Sequence, residues 1–206
     1  MGSGAGEVAS GSMSAGQQPS LRPGERRPGL RQLGPVNYAV ERIGARVRGT
    51  RTLGVFATVG RAKTLFKGWL AYSGTMMPFG DLSRKETELV ILRVAALKGG
   101  DGGAYEADHH RALGRKAGLI DGDFAAVARV DEGLEPGTHG FRDRTGAMID
   151  VTDEIVRFGE VSDAAWERLA AYLDDRECVA LVMLVTHYAG LATALSVLHT
   201  PRDEKR

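Results

Sequence analysis

Residues 81–119 read DLSRKETELVILRVAALKGGDGGAYEADHHRALGRKAGL, and the reading of this stretch decides the fold class. Ser83 stands three residues ahead of Glu86 at the head of an apolar run. That is a capping box, in which each side chain satisfies an otherwise orphaned N–H of the first helical turn, so a helix is predicted from Ser83 to about residue 97. Residues 98–103 (KGGDGG) are predicted to stop it as a loop. A second helix is predicted from residue 104 or 105 to 117, with Gly118 closing it.

Outward from that pair the pattern stays helical. Asn37 is predicted to cap a helix through residue 48, and 61–72 forms another with Leu65, Trp69 and Tyr72 on one face. Residues 74–81 read as a loop, 121–130 as a short helix, 131–139 as a loop and 144–158 as a helix. Ser162 is predicted to cap a helix through 173 with Trp166, Leu169 and Tyr172 inward, and Asp174 with Glu177 forms a second capping box that opens a final helix to about 198. No strong β-alternation is visible, so the fold class is all-α. The apolar run 179–198 is interrupted by Thr186, His187 and Tyr188, and is expected to be a buried core helix and not a membrane span.

The expected organisation is a disordered tail over 1–34, a helical domain over 35–200 and a charged tail over 201–206. The first segment is rich in Gly, Ser, Gln, Pro and Arg and buries too little to offset chain entropy; the residues ahead of Met13 are compatible with an added leader. With 43% apolar and 26% charged residues the composition is that of a globular protein. Charge is uneven, +8 over residues 1–80 and −7 over 81–206. The basic residues are scattered without aromatic interleaving, which disfavours nucleic acid and suits a solvated face or pairing between subunits. The single cysteine, Cys178, excludes a disulfide within the chain and any CxxC pair, and fits a reducing, cytoplasmic location.

Chemistry concentrates on the second helix of the opening stretch. Glu106 and His110 are four residues apart and share a face; a carboxylate beside an imidazole raises its pKa and orients it for acid–base work. Glu88, on the preceding helix, sits among Leu89, Val90, Ile91 and Leu92, so it either points to solvent or is buried with a partner. His109 and His110 point about 100° apart on a helix. Zinc spacings such as HExxH are absent, so no metal is expected from these or from His139, His187 and His199. The GGDGG run (99–103) matches no phosphate-binding pattern and is expected to be a linker or pocket rim.

The segments LSRKETELVILRVA (82–95) and YEADHHRALGRKAGL (105–119) resemble the carboxymuconolactone decarboxylase family, which includes the alkylhydroperoxidase D proteins. Glu88, the Tyr105–Glu106 pair, His110 and the Gly118–Leu119 pair stand at the matching positions. The weaker likeness extends over most of 37–198. The resemblance implies an alkylhydroperoxidase D-like helical bundle, usually a symmetric oligomer, and either of two chemistries: decarboxylation of a lactone, or hydroperoxide reduction by a CxxC pair. The two cysteine positions of the second branch fall here on Gly103 and Glu106, so neither thiolate exists and the chain resembles a cysteine-less branch. Cys178 lies elsewhere and is expected to be buried and structural. The loop over 98–104 looks about three residues longer than the family's, and Ala107 stands where Trp is common; both are expected to reshape the pocket.

The function implied is cofactor-free acid–base chemistry on a small cyclic or unsaturated carboxylic acid or lactone. His110 is expected to donate the proton, Glu106 to set its charge and tautomer, Glu88 to hold a second proton or position substrate, and Tyr105 to offer a phenolic donor. Arg93 and Arg111 are the candidates for the substrate carboxylate. The alternative is a non-catalytic oligomer with a regulatory or binding role.

Overall fold

The computed structural model describes residues 21–77, 79–130 and 137–206. Among them are nine α-helices: α1 (Leu30–Arg48), α2 (Gly54–Val59), α3 (Lys63–Met76), α4 (Arg84–Lys98), α5 (Gly100–Lys116), α6 (Asp121–Val127), α7 (Asp143–Phe158), α8 (Asp163–Ala170) and α9 (Asp175–Val197). The only β pairing among the described residues is a single bridge between Thr50 and Lys205. The all-α expectation is met.

Helix α4 is the axis of the bundle and contacts α5, α7 and α9. Thr87 through Ala95 are buried without interruption, so the middle of this helix has no solvent face. Val90, Ile91 and Val94 meet Met148 and Val151 of α7 and Leu181 and Val185 of α9 in the main core, while Leu89 and Leu92 turn to Phe124 and Ile149. The Ser83–Glu86 box forms as the spacing predicts, with Glu86 N–H donating to Ser83 Oγ at 3.3 Å and Ser83 N–H to Glu86 Oε2 at 3.0 Å. The Asp174–Glu177 box likewise opens α9. Helix α9 is long and apolar enough to cross a membrane, yet it packs against α4, α5 and α7 with Leu181, Leu184, Val185 and Leu195 buried, as a core helix does. Cys178 is buried in the same core.

The structure departs from the sequence expectations at several places. Residues 99–103 are not a loop: only Gly99 breaks the chain, and α5 begins at Gly100. A Cβ at Gly102 would stand 1.9 Å from the Ala192 carbonyl oxygen of α9, and one at Gly103 would stand 2.4 Å from that of Ala95 in α4. These glycines therefore serve close helix packing, a tertiary demand that local turn chemistry cannot reveal. Helix α1 begins at Leu30, turns at Gly34 (φ 74°) and resumes at Pro35, and Leu33 is buried, so the segment 21–34 is not the featureless tail its composition suggests; residues 1–20 and 131–136 lie outside the described residues. Asn37 is no cap: it is buried inside α1 and its Nδ2 donates to the carbonyls of Gly60 and Lys63. Helix α2 has no counterpart in the sequence reading. Trp166 and Tyr172 are 43% and 47% exposed, leaving Leu169 as the inward anchor of α8.

Candidate functional site

Because the middle of α4 is buried on every side, Glu88 must be buried too, and at 0% exposure its carboxylate requires partners. Arg84, one turn earlier, places a guanidinium nitrogen 2.5 Å from Oε1, an ion contact lying off the hydrogen-bond axis. On the other side His110 Nδ1–H donates to Glu88 Oε2 at 2.8 Å. The opposite ring nitrogen, Nε2, faces Glu106 Oε2 at 3.4 Å. Helices α4 and α5 thus bring Glu88, His110 and Glu106 into one line, all three nearly excluded from water.

Burial opposes a charged imidazole, but the two carboxylates outweigh it, and the His110 pKa is raised above its ordinary value of 6.5. Both ring nitrogens carry a carboxylate partner only when His110 is an imidazolium. The sequence expectation that Glu106 fixes the tautomer is corrected: Glu88 makes the tighter contact and holds Nδ1, while Glu106 shares the cavity wall with His110.

That cavity measures about 380 Å³ and lies between α1, α2, α3, α5 and α9. Leu53, Phe56, Trp69, Leu70 and Leu191 make it largely apolar, and Glu106, His110, Tyr188 and Arg48 supply the polar groups. Phe56, Phe66 and Trp69 pack edge-to-face and stacked, with centroids 5.3–6.0 Å apart, and stiffen one wall. The Tyr188 ring stands edge-on to His110 at 5.2 Å, and its hydroxyl has only the weakly accepting Met77 Sδ, at 3.6 Å, as partner. A larger cavity beneath Tyr72, Val179 and Met183 contains no comparable acid–base line.

The remaining expected residues fall differently. Tyr105 lines the cavity, but its hydroxyl donates to Asp203 Oδ1 at 2.9 Å and accepts from Val55 N–H at 3.0 Å, so it has no proton to offer a substrate. Arg93 is fully buried away from the cavity: it forks onto Asp153 and donates to the carbonyls of Val127 and Arg129. Arg111 is exposed and lies over the Phe124 ring, 5.0 Å from its centroid. Neither lines the cavity, and both assignments are withdrawn. Ala107 is not among the lining residues either.

His109 stacks on Tyr105, and burial lowers its pKa; its Nδ1 is 3.8 Å from Asp203, too far for a hydrogen bond. His187 is half-buried against Ser73, with its pKa lowered by burial. His139 pairs with Asp150 and His199 with Glu25, and among the described residues no three His, Cys, Asp or Glu side chains converge to hold a metal ion. Arg48 and Tyr188 escaped the sequence reading. The first is one of many scattered arginines, and the second lies inside an apolar run.

Residues 63–135 match the model of the carboxymuconolactone decarboxylase family. No curated protein matches the chain. Among solved structures, the alkylhydroperoxidase AhpD core of an uncharacterized peroxidase-related protein from Ralstonia eutropha JMP134 superposes with a TM-score of 0.69 at 18% identity, covering 86% of this chain and 90% of that one. A protein of unknown function from Agrobacterium tumefaciens, proposed to be an antioxidant defence protein AhpD, superposes with a TM-score of 0.54 at 20% identity, covering 67% of this chain and 90% of that one. The segment that carries Glu88, Glu106 and His110 thus matches the carboxymuconolactone decarboxylase family, and it does so on an alkylhydroperoxidase D-like helical bundle.

Proposed function

We propose that the chain is a cofactor-free acid–base enzyme acting on a small cyclic or unsaturated carboxylic acid or lactone, by decarboxylation or a related proton transfer. The observation that carries this reading is the buried line Glu88–His110–Glu106, whose last two members open onto an apolar cavity. Glu88 holds the imidazolium from behind. Glu106 faces the other ring nitrogen across 3.4 Å, and the proton on that nitrogen is the one exchanged with the substrate. In a decarboxylation the C–C bond to the leaving carboxylate breaks, CO2 departs, and the electron pair enters the conjugated carbonyl system. The Tyr188 hydroxyl then donates to the developing oxyanion, and the proton held between His110 Nε2 and Glu106 goes to carbon, to be replaced from water.

The antioxidant and peroxidase-related descriptions of the structural neighbours do not carry over in this reading. The paired cysteine positions are Gly103 and Glu106, and a Cβ at 103 has no room against the Ala95 carbonyl. Cys178 is buried, and burial pushes its thiol pKa up. The reading includes self-association, supported by an exposed apolar stripe on α3 and α9 that includes Leu65, Val179, Met183 and Val197. It also places the chain in the cytoplasm, which suits a lone, reduced cysteine.

Steady-state kinetics tests the proposal, with unsaturated lactones and β-keto acids as substrates and an alkyl hydroperoxide as control. Turnover of an acid that falls at least 100-fold in His110→Gln and survives in Cys178→Ser supports it. Hydroperoxide reduction that survives in Cys178→Ser, or acid turnover indifferent to His110, overturns it.

A further inference from the structure

Arg48 ends α1 on the wall of the same cavity, facing the histidines of α5. One of its terminal N–H groups donates to the His109 carbonyl at 3.0 Å, which fixes the plane of the guanidinium. Its Nε is buried without any partner. No carboxylate among the described residues forms an ion pair with it: Asp203 faces Tyr105 and the Gly54 N–H, and Glu106 faces His110. A guanidinium that is oriented, half-desolvated and lacking a counter-charge in an apolar cavity is an unfilled anion site.

We infer that Arg48 is the specificity residue of this cavity, and that it takes the carboxylate of a one-ring or similarly compact unsaturated acid whose apolar body lies on Phe56, Trp69 and Leu191. This deepens the function proposed above and rests on the same cavity, but it is a statement about binding and needs no turnover. A volume of about 380 Å³ lies at the low end of the roughly 300–1,000 Å³ range of small-molecule pockets, which restricts the ligand to a compact acid. The terminal N–H groups that Arg48 does not commit to His109 suit carboxylate oxygens in the planar geometry that lysine cannot reproduce. The chemistry also says which carboxylate Arg48 holds. A charge gripped this firmly in the ground state is harder to lose as CO2, so in a decarboxylation Arg48 anchors the carboxylate that is retained.

The test is calorimetric titration of the full chain with cinnamate and benzoate, each against its methyl ester. The acids are expected to bind and the esters to bind at least tenfold more weakly. Arg48→Gln is expected to weaken the acids at least tenfold and leave the esters unchanged, and Arg48→Lys to fall between. Helical content and melting temperature, followed by circular dichroism, establish that each variant is folded; should Arg48→Gln not fold, Arg48→Lys against wild type carries the comparison. Equal affinity for acid and ester, acid binding indifferent to Arg48, or no binding of either acid at millimolar concentration would each overturn the inference. Repeating the titration on His110→Gln separates the two claims: acid binding that persists there leaves Arg48 standing even if no acid is ever turned over.

Discussion

His110 is held between two carboxylates, and the consequences reach beyond chemistry to stability. Its folded-state pKa is raised, so the protonated ring stabilises the fold fully below about 6.5 and that contribution is lost as pH climbs through the folded value. His109 and His187 are shifted the other way by burial. They add nothing above about 6.5, and below it the unfolded chain takes up protons that the folded chain resists, so stability falls again. The prediction is a maximum near pH 6.5 in urea-denaturation midpoints, with the decline on the alkaline side removed in His110→Gln. A midpoint that keeps rising from pH 6.5 to 8.5 in the wild type would contradict it. At this scale the sequence was informative about Glu106 and His110, because i,i+4 spacing is a local property. It was silent on Arg48 and Tyr188, which reach the cavity from α1 and α9 across long separations in sequence. It also misplaced Arg93, whose nearness to Glu88 in sequence says nothing of which side of α4 it leaves.

Helices here are set by two kinds of signal, one legible in advance and one not. Capping boxes at Ser83–Glu86 and Asp174–Glu177 involve neighbours in sequence and fix where α4 and α9 begin. The start of α5 is decided by its approach to α4 and α9, so GGDGG looked like a loop and proves to be helix. Gly102→Ala is accordingly expected to cost about 1–3 kcal/mol or more in chemical denaturation, because a methyl group would press on the Ala192 carbonyl. Gly49→Ala offers no such clash and serves as the control for added bulk, though its φ of 70° adds some backbone strain. Arg93 belongs to this scale as well, since it ties α4 to α7 through Asp153 and to the end of α6 through the Val127 carbonyl. Arg93→Ala would leave Asp153 buried without its partner and is expected to destabilise by about 3–5 kcal/mol. Joint replacement by Met at 93 and Leu at 153 is expected to recover most of that loss. A single variant as stable as wild type would show that the pair is not the tie described.

At the scale of the whole molecule, residues 203–206 fold back onto the site. Residues 201–206 were expected to be a charged tail, yet Asp203 accepts from Gly54 N–H and Tyr105 hydroxyl, and the backbone of residues 204–206 pairs with that of 49–51. Asp203→Ala is expected to lower stability by about 1–3 kcal/mol by stranding those two donors. It should raise the cavity's flexibility without removing any member of the Glu88–His110–Glu106 line. Exposed Leu65, Val179, Met183 and Val197 make the α3–α9 side the face on which self-association is expected. Light scattering coupled to size exclusion is expected to give a multiple of 22.0 kDa, reduced in Met183→Glu. A wild type of one chain's mass would remove self-association from the account. Fold class was legible at this scale because helical periodicity persists throughout the described chain. Docking of residues 201–206 was not, because the hydrogen-bond partners of their side chains lie 94 to 156 residues away.

The central claim is that a buried imidazolium carries the proton at this site, and ring-nitrogen NMR of histidine-labelled protein tests it most directly. His110, assigned through His110→Gln, is expected to be mostly protonated on both nitrogens at pH 6.5 and to titrate above its ordinary value of about 6.5. Glu88→Gln and Glu106→Gln should each bring that titration down. A neutral His110 at pH 6.5 in the wild type, or a titration indifferent to both carboxylates, would contradict the account.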